Sequence, residues 1–279
     1  MKGRVLVIPQ GRVLVIAGSD SGGGAGIQAD IKTITALGAY AATAITALTA
    51  QITLGVQAIH QVPPEFLRAQ MVSVLDDIGA DIIKTGMLGD AATIDLVCAT
   101  LEQHAPNVPV VVDPVMVAKG GARLLSDNAL TTLKRRLLPR ACVLTPNLPE
   151  AEALCGFPIH NLADMRHAAE VLLTLGVPAV LLKGGHLTGD ELVDLLATET
   201  GVETFIAPRI HTRHTHGTGC TTASAIAAGL SRGLGLRDAV IQARAYVRAA
   251  ITAAPGFGAG HGPLGHGVTV DPARLAALA

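Results

Sequence analysis

The sequence predicts an α/β protein whose central sheet is mostly parallel, has helices on both faces and acquires an antiparallel edge. Short β-branched runs alternate with amphipathic segments of helical period, the pattern of strand–helix–strand units. Polar and glycine residues gather just past the strand ends, where open α/β sheets bind ligands. Two strand-like runs, 192–196 and 202–206, are separated only by "ATETG" and read as a hairpin, which supplies the antiparallel edge.

In chain order, "GRVLVI" occurs at 3–8 and again at 11–16. Only the second copy runs into "AGSDSGGGAG", so it is the expected first strand. Residues 1–10 are read as an N-terminal extension to a single domain over 11–279. Ile27, Ile31 and Ile34 trace a helix face that stops at Gly38. Pro63-Pro64 opens a second helix, carrying Leu67, Met71, Val74 and Ile78 and stopping at Gly79. A strand at 81–84 follows directly. Next come a helix over Ile94, Val97 and Leu101, a strand at 110–113, a helix around 130–137 and a strand at 142–145. A helix over 162–175, a strand at 179–183, the hairpin, and helices at 218–232 and 237–254 complete the pattern.

The 279 residues are 49% hydrophobic and only 15% charged, enough to bury a large core, and the formal charge of -1 offers no field for nucleic acid or anionic lipid. The expected partner is a small molecule. Lys134, Arg135, Arg136 and Arg140 close a predicted helix, where cations complement the dipole. Apolar runs fall short of the ~18–20 residues of a membrane span, and the first one is cut by Pro9, Gln10, Gly11 and Arg12, so a cytoplasmic protein is expected. Cysteines 98, 142, 155 and 220 form no C-x-x-C pair; the first three read as buried small hydrophobes.

Five loops follow five strands: "GSDSGGGAG", "TGMLGD", "DPVMVAKGG", "TPNLPE" and "KGGH". They imply one shared crevice. A dinucleotide fingerprint starting at Gly22 would need glycine where Ile27 stands, and no G-x-x-x-x-G-K-[ST] occurs. Gly217, Thr218, Gly219 and Cys220 lead into a helix whose apolar face includes Ala223, Ile226, Ala227 and Leu230. That turn is either an ordinary N-cap or an anion cradle of unpaired amides. Asn147 and Glu150 sit at another helix mouth, and Glu150 is either a first-turn acid or a holder of magnesium-bound water. Asp113 is a second magnesium candidate or a turn acid before Pro114. Lys183, before Gly184-Gly185, can reach a phosphate. His211, His214, His216 and Cys220 are zinc ligands by type, although an extended 211–216 would point His211 away from His214 and His216. His261 and His266 read as polar residues of a glycine-rich tail.

Together, "AGSDSGGGAGIQAD", "AITALTAQ", "KTGMLGD", "VVDPVMVAK", "TPNLPEAE", "LLKGGH", "THGTGC" and "GHGP" resemble, in order and over about 13–266, the bifunctional hydroxymethylpyrimidine/phosphomethylpyrimidine kinases of thiamine synthesis. The resemblance implies a ribokinase-like three-layer αβα sandwich, a homodimer, and ATP- and Mg2+-dependent phosphorylation of 4-amino-5-hydroxymethyl-2-methylpyrimidine and then of its monophosphate. It implies that Gln51 hydrogen-bonds the pyrimidine, Gly18 and Asp20 belong to the substrate loop, and Met87 and Val115 pack on the ring. Asn147 and Lys183 would serve ATP, Asp113 and Glu150 the magnesium, and the amides of 217–220 an anion hole, with Cys220 where relatives usually place aspartate. The family often has Asn at Ile52, Ser at Gly120, Asp at Ala122 in a flap after Lys119, and Asn at His214. Pyridoxal kinase and a non-catalytic pyrimidine-binding protein are the competing readings; Gln51 and Met87 favour the pyrimidine. A helix N-terminus lowers a thiol pKa from ~8.5 toward neutrality, so Cys220 is expected to be a weak general base for the alcohol step.

Overall fold

A computed structural model describes residues 10–116, 125, 127–271 and 273. The first "GRVLVI" copy and the flap residues Lys119, Gly120 and Ala122 lie outside them. The strands are β1 (Arg12–Asp20), β2 (Tyr40–Ile52), β3 (Gly55–Gln61), β4 (Ile82–Thr85), β5 (Val110–Val112), β6 (Ala141–Leu144), β7 (Ala179–Lys183), β8 (Glu191–Thr198) and β9 (Gly201–Pro208). They form one nine-stranded sheet in the order β3-β2-β1-β4-β5-β6-β7-β8-β9. From β2 to β7 neighbouring strands run parallel. The expected hairpin is β8–β9, itself antiparallel to β7.

A second antiparallel margin, β3 on β2, completes the other side. Little in the local residues announces it. The segment "YAATAITALTAQI" consists largely of alanine and threonine, and alanine is depleted in strands. Tertiary pairing with β1 overrides that preference, with Arg12 opposite Tyr40 and Ile16 opposite Ala44.

The helices are α1 (Gly26–Ala36), α2 (Pro64–Asp77), α3 (Ala91–His104), α4 (Asp127–Thr132), α5 (Leu148–Cys155), α6 (Leu162–Leu173), α7 (Thr218–Ser231) and α8 (Leu236–Thr252). Strand residues alternate between two cores because their side chains alternate between faces. Val13, Val15, Ala17, Ile82, Val111 and Leu181 meet α1, α7 and α8. Leu14, Ile16, Ile83, Val110, Leu144 and Leu182 meet α2 through α6 on the opposite face. Ile31, expected on the apolar face of α1, is exposed, whereas Ile27 and Ile34 are buried.

Helix α7 departs from its expected one-sided pattern. Every residue from Thr221 to Gly229 is buried, since the helix is wedged among the sheet, α1 and α8. Small side chains permit that approach: a Cβ on Gly229 would lie 2.9 Å from Ala239 Cβ. Beneath its first turns lies a feature absent from the sequence reading. Lys84 on β4 places Nζ 3.0 Å from both carboxylate oxygens of Asp30 on α1, and Ser224 on α7 donates to Asp30 at 2.6 Å. Both charged side chains are fully buried. Burial opposes the Lys84 charge, but Asp30, with Cys220 and Asp113 adding to it, raises the lysine pKa.

Candidate active site

The carboxyl ends of β1, β2, β4, β5, β6 and β7 and the start of α7 surround a cleft of about 1000 Å³. The residues assigned above to substrate, nucleotide, magnesium and the anion hole all line it: Gly18, Asp20, Gln51, Met87, Asp113, Val115, Asn147, Glu150, Lys183, Gly217, Thr218, Gly219 and Cys220.

At the start of α7, Gly217 is the N-cap with φ 85°. A Cβ there would collide with the Gly24 carbonyl, so glycine is required both by conformation and by the close approach of the loop after β1. Thr221 N–H bonds Gly217 O at 2.8 Å, whereas the amides of Gly219 and Cys220 find no acceptor among the described residues. Unpaired amides at the positive end of a helix favour an anion. A Cβ placed on Gly219 would lie 3.4 Å from Lys183 Nζ and 3.7 Å from Asp113 Oδ2, so the cation, the carboxylate and the free amides share one corner.

Lys183 Nζ lies 3.4 Å from Asp113 Oδ1, and Thr145 Oγ1 is also 3.4 Å from that oxygen. Asp113 Oδ2 is buried with no hydrogen-bond partner. Glu150 and Asn147 form a reciprocal capping box on α5: Glu150 N–H donates to Asn147 Oδ1 at 2.9 Å, and Asn147 N–H donates to Glu150 Oε2 at 2.8 Å. The N-x-x-E spacing carried that signal in the sequence. Burial pushes the Glu150 pKa up, Lys183 opposing and Asp113 adding to the rise. Burial disfavours the Lys183 charge, yet Asp113 and Glu150 together raise its pKa. Two buried carboxylates therefore share one lysine, and an orphaned oxygen remains. That donor set fits a divalent cation completed by water and phosphate oxygens better than an all-protein cage.

The other wall of the cleft is organised by Asp20. Its carboxylate accepts from the amides of Gly22, Gly24 and Ala25 at 2.8, 3.1 and 2.8 Å and from His216 Nε2 at 2.9 Å. Burial disfavours the charge, but His216 and these amides outweigh it and hold the carboxyl below its ordinary value. Asp20 thus shapes the loop after β1. Gln51 is held by Ser21, whose Oγ accepts from Gln51 N at 2.9 Å and donates to Gln51 O at 3.2 Å.

Cys220 corrects the expectation of a lowered thiol pKa. Burial pushes it up to about 12, with Asp30 and Asp113 adding to the rise and Lys84 opposing. Desolvation exceeds the helix-terminus effect, so Cys220 is a neutral thiol near pH 7. Among the other cysteines, Cys98 is buried and Cys142 and Cys155 are half-buried.

The histidines also find their places. His216 joins Asp20 and Gln51, His211 lies 3.7 Å from Asp190 at the surface, and His261 Nδ1 meets the Arg213 carbonyl at 3.1 Å. Among the described residues no group of three or more His, Cys, Asp or Glu is arranged for a metal. His266, expected in a polar tail, is instead buried: Thr221 Oγ1 lies 3.0 Å from its Nε2, and burial drives its pKa down to about 4.

Two supports had no local sequence signal. Arg209 donates to the carbonyls of Gly185, Leu187 and Gly189 at 2.9, 2.6 and 2.7 Å, fixing the loop after β7. Asp194 accepts from Gly184 N at 3.0 Å and from Arg244 Nε at 2.8 Å. Both depend on contacts between distant strands and helices.

A doubly wound sheet with unpaired amides at a helix start, a lysine and buried carboxylates at its strand ends defines a phosphotransferase of the ribokinase-like class. The model of the phosphomethylpyrimidine kinase family matches residues 20–265, and the chain belongs to that family. It is 52% identical, over 95% of its length, to the thiamine biosynthesis bifunctional protein ThiED of Geobacter sulfurreducens, of which it spans 54%. It is 47% identical to the hydroxymethylpyrimidine/phosphomethylpyrimidine kinase of Bacillus subtilis, covering 91% of this chain and 94% of that one. Among solved structures, a Bacillus subtilis pyridoxal kinase in complex with ADP superposes with a TM-score of 0.86 at 36% identity, covering 93% of this chain and 98% of that one. The phosphomethylpyrimidine kinase of Clostridium difficile 630 gives 0.75 at 40% identity, with 85% and 97% covered. No helix among the described residues is long and apolar enough to cross a membrane.

Proposed function

We propose that this chain phosphorylates 4-amino-5-hydroxymethyl-2-methylpyrimidine and then its monophosphate at the expense of ATP. One observation carries the reading: the unpaired amides of Gly219 and Cys220 lie at the Asp113–Lys183 corner of the same cleft that Gln51 and His216 line. Phosphoryl transfer depends mainly on positioning and charge neutralisation, and these amides supply both where the acceptor and donor phosphates meet. Gln51 binds the pyrimidine edge, Gly18 and the Asp20 loop close around it, and Met87 and Val115 pack on the ring. Lys183 and Asn147 bind the nucleotide phosphates. Asp113 and Glu150 would hold Mg2+ through water, and the ion would supply charge neutralisation for the transferred phosphoryl group. Cys220 enters the alcohol step as an uncharged thiol. Homodimerisation, implied by the family resemblance, belongs to the same proposal.

Pyridoxal phosphorylation is the second reading, supported by the superposition on the Bacillus subtilis pyridoxal kinase. ADP release measured separately with hydroxymethylpyrimidine, its monophosphate and pyridoxal tests both. Turnover with the first two at the higher kcat/KM is expected; turnover with pyridoxal alone, or with none, would overturn the primary reading.

A further inference from the structure

Gln51 faces the cleft between two neighbours whose protons are already committed. Its carboxamide Nε2 lies 3.2 Å from His216 Nε2, and its Oε1 lies 3.3 Å from Thr49 Oγ1. Thr49 has one hydroxyl proton, and at 2.9 Å that proton goes to the Ser19 carbonyl, which only accepts. Toward Gln51 the hydroxyl therefore offers a lone pair. His216 Nε2 faces the ionised Asp20 at 2.9 Å, so it carries a proton in either the neutral or the cationic ring. The orientation in the structure pairs an N–H with an N–H on one side and a lone pair with a lone pair on the other. Rotating the isosteric amide by half a turn removes both mismatches: its N–H faces the Thr49 lone pair, and its oxygen shares the single His216 N–H with Asp20 as the longer arm of a three-centre bond.

We propose that His216, held by Asp20, and Thr49 are positioning residues that lock the Gln51 amide with oxygen toward His216 and nitrogen toward Thr49, and so set the substrate preference of the pocket. The consequence follows from pattern. An aminopyrimidine places a ring-nitrogen acceptor beside an amino donor, and its complement is a carbonyl beside an N–H in one order only. Pyridoxal has no amino group next to its ring nitrogen and gains nothing from that order. The lock has a steric component as well, because a Cβ on Gly24 would lie 3.4 Å from His216 Nε2 and 3.2 Å from Pro263 Cβ. The ring is thus fixed between the loop after β1 and the chain near 263. The preference for the aminopyrimidine rests on the function proposed above; the amide orientation does not.

Two measurements test it. In the free protein, with Gln side chains 15N-labelled, the Gln51 amide protons should show nuclear Overhauser contacts to the Thr49 methyl and none to the His216 ring protons. The reverse pattern overturns the lock irrespective of substrate. In kinetics, His216→Leu and Thr49→Val should each raise KM for hydroxymethylpyrimidine roughly tenfold, the effect of leaving one buried polar partner unmatched, with kcat within a few-fold. KM for pyridoxal should stay within about twofold. His216→Gln, which returns an N–H donor facing Asp20, should recover most of the loss. Equal KM changes for both substrates, a loss confined to kcat, or no recovery in His216→Gln would refute the specificity claim. Failure of the wild type to phosphorylate hydroxymethylpyrimidine would instead remove the functional reading, and the preference with it, while the proton contacts still decide the amide's orientation.

Discussion

The raised Cys220 pKa makes a quantitative prediction about reactivity. An ordinary thiol with a pKa of 9.0 is about one-tenth thiolate at pH 8, whereas one at about 12 is ~10⁻⁴ thiolate. Alkylation by iodoacetamide should therefore run ~10³ slower at Cys220 than at a free thiol. Limited access also slows alkylation, but by the same factor at every pH. The shape of the profile separates the causes. Residue-resolved peptide mapping should show log rate rising by about one per pH unit from 7 to 10 with no plateau. The pH profiles of alcohol phosphorylation by the wild type and Cys220→Ala should also share one shape between pH 6 and 9, whatever their relative heights. A plateau in alkylation below pH 9, or an inflection present only in the wild type, would show that the helix terminus overcomes desolvation and would restore the thiolate base.

Lys84→Met leaves Asp30 buried without its cation and should cost about 3–5 kcal/mol in urea unfolding; Lys84→Met/Asp30→Leu should recover a large part, and additive losses would contradict the account. His266 is depressed from 6.5 to about 4, so the unfolded chain binds its proton first, and about 3 kcal/mol of stability present above pH 6.5 should be lost as pH falls toward 4. His266→Asn should lack that part of the slope in unfolding curves at pH 7, 6 and 5. Gly217→Ala should lower kcat by about a hundredfold, since displacing the turn misplaces its amides; a change within tenfold would show that the turn is not at the reacting centre. Glu150→Gln preserves a capping side chain but removes the charge, so the Mg2+ concentration for half-maximal activity should rise about tenfold with α5 intact by circular dichroism.

The fold was legible where periodicity and punctuation agreed. Pro63-Pro64 and Gly79 bracket α2, and the short β-branched runs coincide with the buried parallel strands. The β2–β3 margin was not legible, because Ala- and Thr-rich strands acquire their identity from pairing. The residues of the candidate site could be gathered from loops at strand ends, but their electrostatics could not. Cys220 illustrates the difference: its position at a helix mouth is a property of sequence, while the charges around its thiol, Lys84, Asp30 and Asp113, arrive from β4, α1 and the loop after β5. The Asp20–His216 contact spans nearly 200 residues of chain and had no local trace.

The tight seating of α7 means that ligand contact is a poor guide to which substitutions this region tolerates. A methyl group added at Gly229 has nowhere to go but into Ala239, and any compensating slide of the helix carries the unpaired amides of its first turn along its axis. A mutational scan should therefore find intolerance running the length of the helix, tracing a rigid piston rod rather than a pocket lining.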